Sequence, residues 1–183
     1  MRELSELVDL IEKEFQIDLE IISGGNSANF EWFKSSQDVG RVNNLRLGES
    51  ILLGCETVGG KVIPGLHTGA VQLIAEVIES KRKASVPLGE ICQDAFGNVP
   101  GFLDRGDHQR VIIALGKQDV QVSNLKSNNK LKMIGSSSDH IILDGENHNL
   151  EVGDEVSFSL DYGGLLATMT SPFVTKQFTD SNA

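Results

Sequence analysis

Residues 1–54 run through an alternation of helix and strand only twice, and that brevity constrains what they can form. Leu4, Leu7, Val8, Ile11 and Phe15 fall at helical spacing, which predicts an amphipathic helix over residues 3–16. Asp18 to Ile22 then read as a short buried strand, ended by Ser23-Gly24-Gly25. Asn26-Ser27 reads as the N-cap of a second helix carrying Phe30, Trp32 and Phe33. Gly40 breaks that helix, and Val42 to Leu47 form a second strand, followed by Gly48 and the apolar run Ile51-Leu52-Leu53-Gly54. Helix, strand, helix, strand is the rhythm of a parallel α/β sheet. Two parallel strands cannot close a sheet, and a full (β/α)8 barrel takes about 250 residues. An open parallel edge leaves backbone groups unpaired, so residues 1–54 are expected to need strands from elsewhere.

From about residue 60 the rhythm changes. Gly and Pro punctuate short β-rich runs at Arg110–Leu115, Leu131–Ile134, His140–Leu143, Val156–Leu160 and Phe173–Phe178. One segment fits two patterns. Ala70, Leu73, Ile74, Val77 and Ile78 suit a helix face, while the alternation of Val71, Leu73, Ala75 and Val77 suits a strand. The expected architecture is α/β plus β: residues 1–58 as the last strands and helices of an incomplete (β/α)8 TIM-type barrel, and residues 59–183 as a C-terminal β-rich domain.

Composition narrows the function. Sixteen Lys and Arg against 26 Asp and Glu give a net charge of −10, which argues against a nucleic-acid surface, because phosphate backbones are gripped by clustered cations. The densest basic run, Lys81-Arg82-Lys83, reads as a solvated turn or strand end. Cys55 and Cys92 lie far apart and outside any C-x-x-C spacing, so neither a disulfide framework nor a zinc site is expected. No apolar run approaches the roughly 20 residues that span a bilayer. Met1-Arg2-Glu3-Leu4-Ser5-Glu6 reads as an acidic helix start without the features of a signal peptide. The expectation is a soluble cytoplasmic protein without nucleic-acid or membrane partners.

Two turns have the composition of an anion site. In Ser23-Gly24-Gly25-Asn26-Ser27, small residues let backbone N–H groups approach an anion at a helix start. Arg46-Leu47-Gly48-Glu49-Ser50 ends the second strand with a similar turn beside a fixed positive charge. Ligand groups of a barrel sit at the C-terminal ends of its strands, and late strands often carry a phosphate. Either turn alone also serves as a purely structural Gly-Ser turn with an N-cap.

These residues, together with later motifs, resemble a known family. The run Ile22-Ser23-Gly24-Gly25-Asn26-Ser27 through Asn43-Asn44-Leu45-Arg46-Leu47-Gly48-Glu49-Ser50-Ile51-Leu52-Leu53-Gly54 looks like the end of the barrel in pyridoxal-phosphate (PLP) amino-acid racemases of the alanine racemase fold. The resemblance is to the alanine/ornithine racemase branch. It continues through Pro64-Gly65-Leu66-His67-Thr68, Gln93-Asp94-Ala95-Phe96-Gly97, Ala114-Leu115-Gly116-Lys117-Gln118-Asp119-Val120, Ser137-Ser138-Asp139-His140 and Asp161-Tyr162-Gly163-Gly164-Leu165-Leu166. It covers nearly all of this chain and the C-terminal half of such an enzyme.

The resemblance implies an isomerase that interconverts L- and D-amino acids, ornithine slightly before alanine, as a homodimer with pyridoxal 5'-phosphate. Asn26 and Ser27, with Gly48 and Glu49, match the two loops that bind the cofactor phosphate. Arg46 matches the arginine facing the pyridine nitrogen. Its very high pKa keeps that nitrogen unprotonated and the ring a weaker electron sink. Tyr162 matches a tyrosine packed near the phosphate, although a core aromatic with a satisfied hydroxyl is an equal reading. Ser138 and Asp139 align with the segment that approaches the substrate carboxylate from the partner subunit. Racemisation needs an acid/base group on each face of Cα. Lys117 stands where family alanine racemases carry the tyrosine of that pair, so it is the catalytic candidate of this chain. It serves as a second base only if burial or a neighbouring cation lowers its pKa; an exposed lysine there is simply solvated. The Schiff-base lysine belongs to the first barrel strand, which has no counterpart here. A Lys-bearing barrel half is therefore an expected partner, and the chain alone is expected to be inactive.

Two rival readings remain. One is an inactive remnant serving as a binding or assembly module; the other is a PLP aldolase or decarboxylase of the same fold. His67, His140 and His148 lack a metal-ligand spacing such as H-x₃-H. Asp94, Asp104 and Asp119 could hold a cationic substrate side chain, but read more readily as surface carboxylates of an acidic protein.

Overall fold

A computed structural model describes residues 1–93, 97, 99 and 101–179. It divides into two units, Met1–Val71 and Gln72–Ala183. The boundary expected at 58/59 falls inside the first unit. There, Ile63 N–H donates to Gly54 O (2.9 Å), Glu56 N–H donates to Lys61 O (2.8 Å), and a bridge pairs Cys55 with Val62.

The first unit opens with the expected helix, α1 (Arg2–Phe15), which ends at Gln16 in the left-handed region. Its first strand lies later than expected. Asp18–Ile22 is not a strand, and β1 is Ser23–Asn26 itself. The cause is a side chain that takes the place of a ladder partner. Asn43 Oδ1 accepts the Ile22 N–H at 2.8 Å, and Asn43 Nδ2 donates to Glu20 O at 2.9 Å. Parallel pairing with β2 (Asn44–Arg46) therefore starts only at Ser23↔Asn44 and runs to Asn26↔Arg46. Glycine is needed within it, because a Cβ on Gly24 would lie 2.5 Å from Val42 Cγ1.

Asn26 caps the next segment as expected. Its Oδ1 accepts the Ala28 N–H at 3.0 Å, starting a 3-10 turn (Ser27–Asn29) that runs into α2 (Phe30–Ser35). The apolar run after Gly48 is α3 (Glu49–Leu53). Val8, Ile22 and Val42 form a small core with Leu4, Leu19, Phe33 and Val39 around it. Arg41 locks α1 to this core, its Nη2 lying 2.9 Å from both carboxyl oxygens of Glu12. Leu7, Leu10, Ile21, Ile51 and Leu52 remain exposed.

The second unit is a six-stranded sheet in the order β5-β8-β3-β4-β7-β6. Its strands are β3 (Leu73–Ala84), β4 (Asp107–Ile113), β5 (Leu125–Ser127), β6 (Lys132–Ser136), β7 (Ile141–Asp144) and β8 (Glu155–Leu160). All its pairings are antiparallel. The ambiguous segment resolves as strand: Leu73, Ala75 and Val77 are buried while Ile74, Glu76 and Ile78 are exposed, the period-2 burial of a sheet with one covered face. Lys81-Arg82-Lys83 closes that strand, with Lys81 paired to Glu79 (2.9 Å) and Arg82 to Glu146 (3.1 Å).

The two edge strands are consecutive in sequence, and this forces the sheet to curl. Five strand spacings would separate β5 from β6 by about 24 Å in a flat sheet. The steps from Ser127 to Lys132 reach about 17 Å even when extended, and this link is folded back, with Leu131 N–H on Ser127 Oγ at 3.1 Å. Val77, Val111, Ile113, Ile141, Leu143, Val156 and Phe158 fill the enclosed face, each fully buried.

One further segment lies outside the elements read from the sequence, and one differs from them. Tyr162–Thr170 is a helix, α4, capped by Asp161, whose Oδ1 accepts the Gly164 N–H at 2.8 Å. Phe173–Phe178 is not a strand. Val174 packs against the core, while Phe173 and Phe178 face solvent, so the apolar content of this run is not a sheet pattern.

Candidate active site

The candidate residues fall into one group in each unit. In the first unit, the ends of parallel strands β1 and β2 lie side by side, so the turns after them are neighbours. Ser27, only 5% exposed, is the centre of this group. Its Oγ accepts from Gly48 N–H (3.4 Å), Ser50 N–H (3.3 Å) and Ser50 Oγ (3.2 Å). Both amide bonds are long beside the usual 2.9–3.0 Å, so these donors converge on one point while weakly engaged. Gly48 is exposed, with open space where a Cβ would stand. Glu49 occupies the first turn of α3. Arg46 ends β2, and its Nη1 donates to Ser23 Oγ at 2.6 Å. Asn26 is exposed and occupied in capping. The structure thus brings Asn26, Ser27, Arg46, Gly48 and Glu49 together. It adds Ser50, which is fully buried, and Ser23.

In the second unit, two turns are clamped into one surface. Lys117 N–H donates to Ser137 O (3.1 Å) and Gln118 N–H to Ser138 O (2.8 Å). Gly116 permits the approach, since a Cβ there would fall 2.2 Å from Ser138 O. Lys117, Ser138 and Asp139 therefore share a neighbourhood. Asp139 Oδ1 accepts from Ser138 Oγ (2.7 Å) and Ser137 Oγ (3.3 Å), and Oδ2 lies 3.5 Å from His140 Nδ1. The Ser138 hydroxyl, with the charge of His140 as a lesser contribution, holds the Asp139 carboxyl below the ordinary carboxylate range. This half-exposed group is an anion near neutrality.

Tyr162 begins α4 and is half exposed. Its helix start packs on Asn124, whose Nδ2 would lie 2.4 Å from a Cβ on Gly163, not on the Ser137–His140 turn. Of the carboxylates weighed for a cationic substrate, Asp104 is exposed and bonds the Gly106 N–H at 2.9 Å. Asp119 overturns its expectation: it is 7% exposed, with Oδ2 on the Gly116 N–H at 3.0 Å. An Asp side chain can bond a backbone group three residues earlier, as Asp119 does here. Asp94 lies outside the described residues. Among the described residues no three His, Cys, Asp or Glu side chains group as metal ligands, and no helix is long and apolar enough to cross a membrane.

Comparison with solved structures gives the class. Biosynthetic alanine racemase from Pseudomonas aeruginosa matches with a TM-score of 0.57 at 14% identity, over 94% of this chain and 51% of that one. Alanine racemase from Bacillus anthracis matches with a TM-score of 0.54 at 19% identity, over 82% and 38%. D-threonine aldolase from Filomicrobium marinum shares the fold at a TM-score of 0.54 and 11% identity, over 90% and 39%. The chain carries the C-terminal part of the alanine racemase fold. Sequence narrows this further. An ornithine racemase from Acetoanaerobium sticklandii is 40% identical over 95% of this chain and 50% of its own length, and a lysine racemase from Thermotoga maritima is 39% identical over 97% and 51%. The chain is a homologue of these amino-acid racemases. It spans about half the length of the curated relatives it matches. No protein-family model matches it.

Proposed function

We propose that this chain is the C-terminal portion of a PLP-dependent racemase of a basic amino acid, ornithine or lysine, working as a homodimer. The observation that carries the reading is the 40% identity to an ornithine racemase along 95% of the chain. The residues fit the cofactor. Gly48 and Ser50 amides and two serine hydroxyls converge at the ends of neighbouring parallel strands, a donor set suited to phosphate oxygens. Ser27, Gly48 and Ser50 would hold the phosphate, Asn26 and Glu49 would shape the two turns, and Arg46, ending β2, would serve the pyridine nitrogen. When bound, pyridoxal phosphate supplies the electron sink that acidifies Cα–H of an amino acid.

Lys117 is the group in this chain that takes or returns a proton at Cα, and the rigid turn beneath it sets its reach. Ser138 orients the substrate. The Asp139 carboxylate, held anionic by Ser138, attracts a side-chain ammonium and repels a second carboxylate, which favours a basic amino acid over alanine. Neither β1 nor β2 contains a lysine. The lysine that bonds the cofactor comes from a barrel strand outside residues 1–183. A chiral assay with PLP on ornithine, lysine and alanine, with and without a Lys-bearing barrel half, tests the proposal. Turnover of ornithine or lysine only when both parts are present supports it; a complete complex that binds PLP yet leaves all three unchanged refutes it.

A further inference from the structure

We infer that Asp119 is a positioning residue that fixes the Lys117 turn against the Ser137–Asp139 turn and ties both to the end of α4. A buried carboxyl group is costly unless its oxygens are bonded, and Asp119 is 7% exposed. One oxygen, Oδ2, accepts the Gly116 N–H at 3.0 Å. The other, Oδ1, lies 3.5 Å from the Ser171 hydroxyl, far along the chain. Ser171 is itself buried and closes α4, its N–H on Ala167 O at 2.9 Å.

Gly116 is thereby held from two sides. Asp119 takes its amide, and a Cβ at this position would fall 2.2 Å from Ser138 O and 2.3 Å from Asp139 N and Cα, so there is no room for a side chain. Between these restraints the Lys117 and Gln118 amides bond Ser137 O and Ser138 O. A shift of Asp119 moves Gly116, and with it the bearing of Lys117 relative to Asp139. The clasp itself rests on this geometry; its catalytic consequence rests on the racemase reading. Group placement matters because a displacement of about 1 Å can cost on the order of a hundredfold in rate.

The test compares Asp119→Ala, Asp119→Asn and Ser171→Ala in the PLP-loaded enzyme, by kcat, KM and amide hydrogen exchange. Asp119→Ala is expected to lower kcat by about tenfold or more, with KM within about twofold. It also speeds exchange at Gly116, Lys117 and Gln118 while the Val77 amide, bonded to Asp154 O, stays protected. Asparagine keeps an acceptor for Gly116 and recovers much of both, and Ser171→Ala gives a weaker form of the alanine effect. Unchanged kcat in Asp119→Ala, or Asn no better than Ala, overturns the positioning role. If the unaltered enzyme turns over no amino acid, the racemase reading fails, and exchange at the three amides still decides whether the clasp exists.

Discussion

The hydroxyl oxygens of Ser27 and Ser50 lie 3.2 Å apart, both buried, one just past β1 and the other in the first turn of α3. This contact joins the two turns that the sequence offers separately. Ser27→Ala removes the acceptor shared by Gly48 N–H, Ser50 N–H and Ser50 Oγ. Leaving buried donors unmet costs about 1–3 kcal/mol, so urea unfolding of the first unit should shift to lower denaturant and PLP binding should weaken. An unchanged midpoint together with unchanged PLP affinity would exclude Ser27 as the centre of the group.

Acid should loosen the first unit through Glu12. The Leu19 amide, and then the Arg41 guanidinium, hold its carboxyl below the ordinary range. Because the folded value is the lower one, this stabilisation is fully present above the unfolded value of about 4.3. It disappears as pH falls through the folded value. Glu12→Gln lacks that dependence, so its melting temperature should fall less steeply than that of the unaltered protein on acidification. Parallel acid limbs for the two proteins would contradict this.

Gly116→Ala places a methyl group 2.2 Å from Ser138 O and 2.3 Å from Asp139 N. Backbone atoms cannot rotate away, so the two turns must part. Overpacking of this kind costs about 1–3 kcal/mol, measurable by denaturation, and the Lys117 and Gln118 amides should lose protection with it. Retained protection would mean that the turns are not clamped as described.

Lys117→Ala tests the acid/base role directly. General acid/base groups contribute about 10²–10⁴-fold, so racemisation should fall by that range while the absorbance of bound PLP persists. Activity within about threefold of normal would assign the proton transfer to another residue.

Phe158 is fully buried where β8 pairs with both β3 and β5. Phe158→Ala should cost about 3–5 kcal/mol and lower the melting temperature of the second unit. A loss below about 1 kcal/mol would show that the enclosed face is loosely packed.

Much of this architecture was legible because apolar spacing is a local property. Leu4, Val8 and Phe15 mark α1, whereas the run from Ala70 to Ile78 fits a helix face and a strand equally, and only its alternating burial decides for β3. What escaped depended on partners remote in sequence. Asp18–Ile22 has the residues of a strand, yet the Asn43 side chain occupies its pairing positions. Tyr162–Thr170 contains two glycines and two threonines, poor helix formers, and becomes helical through the Asp161 cap and packing on Asn124. Among the candidate site residues, Asn26, Ser27, Arg46 and Gly48 could be found by their turn chemistry. Ser50 and Asp119 look like ordinary polar residues until distant segments bury them.

The order of the sheet also sets the order in which it can be made. Leu73 of β3 pairs with Phe158 of β8, so the central strand is the first of its unit to leave the ribosome and one of its two neighbours is the last. Until Leu160 has emerged, Leu73, Ala75 and Val77 present an apolar ribbon with one edge unpaired. Pairings this distant in sequence close slowly, and such exposed strands are prone to associate with one another. Productive folding of the second unit therefore waits for β8, and until that strand arrives the unpaired edge of β3 is open to association.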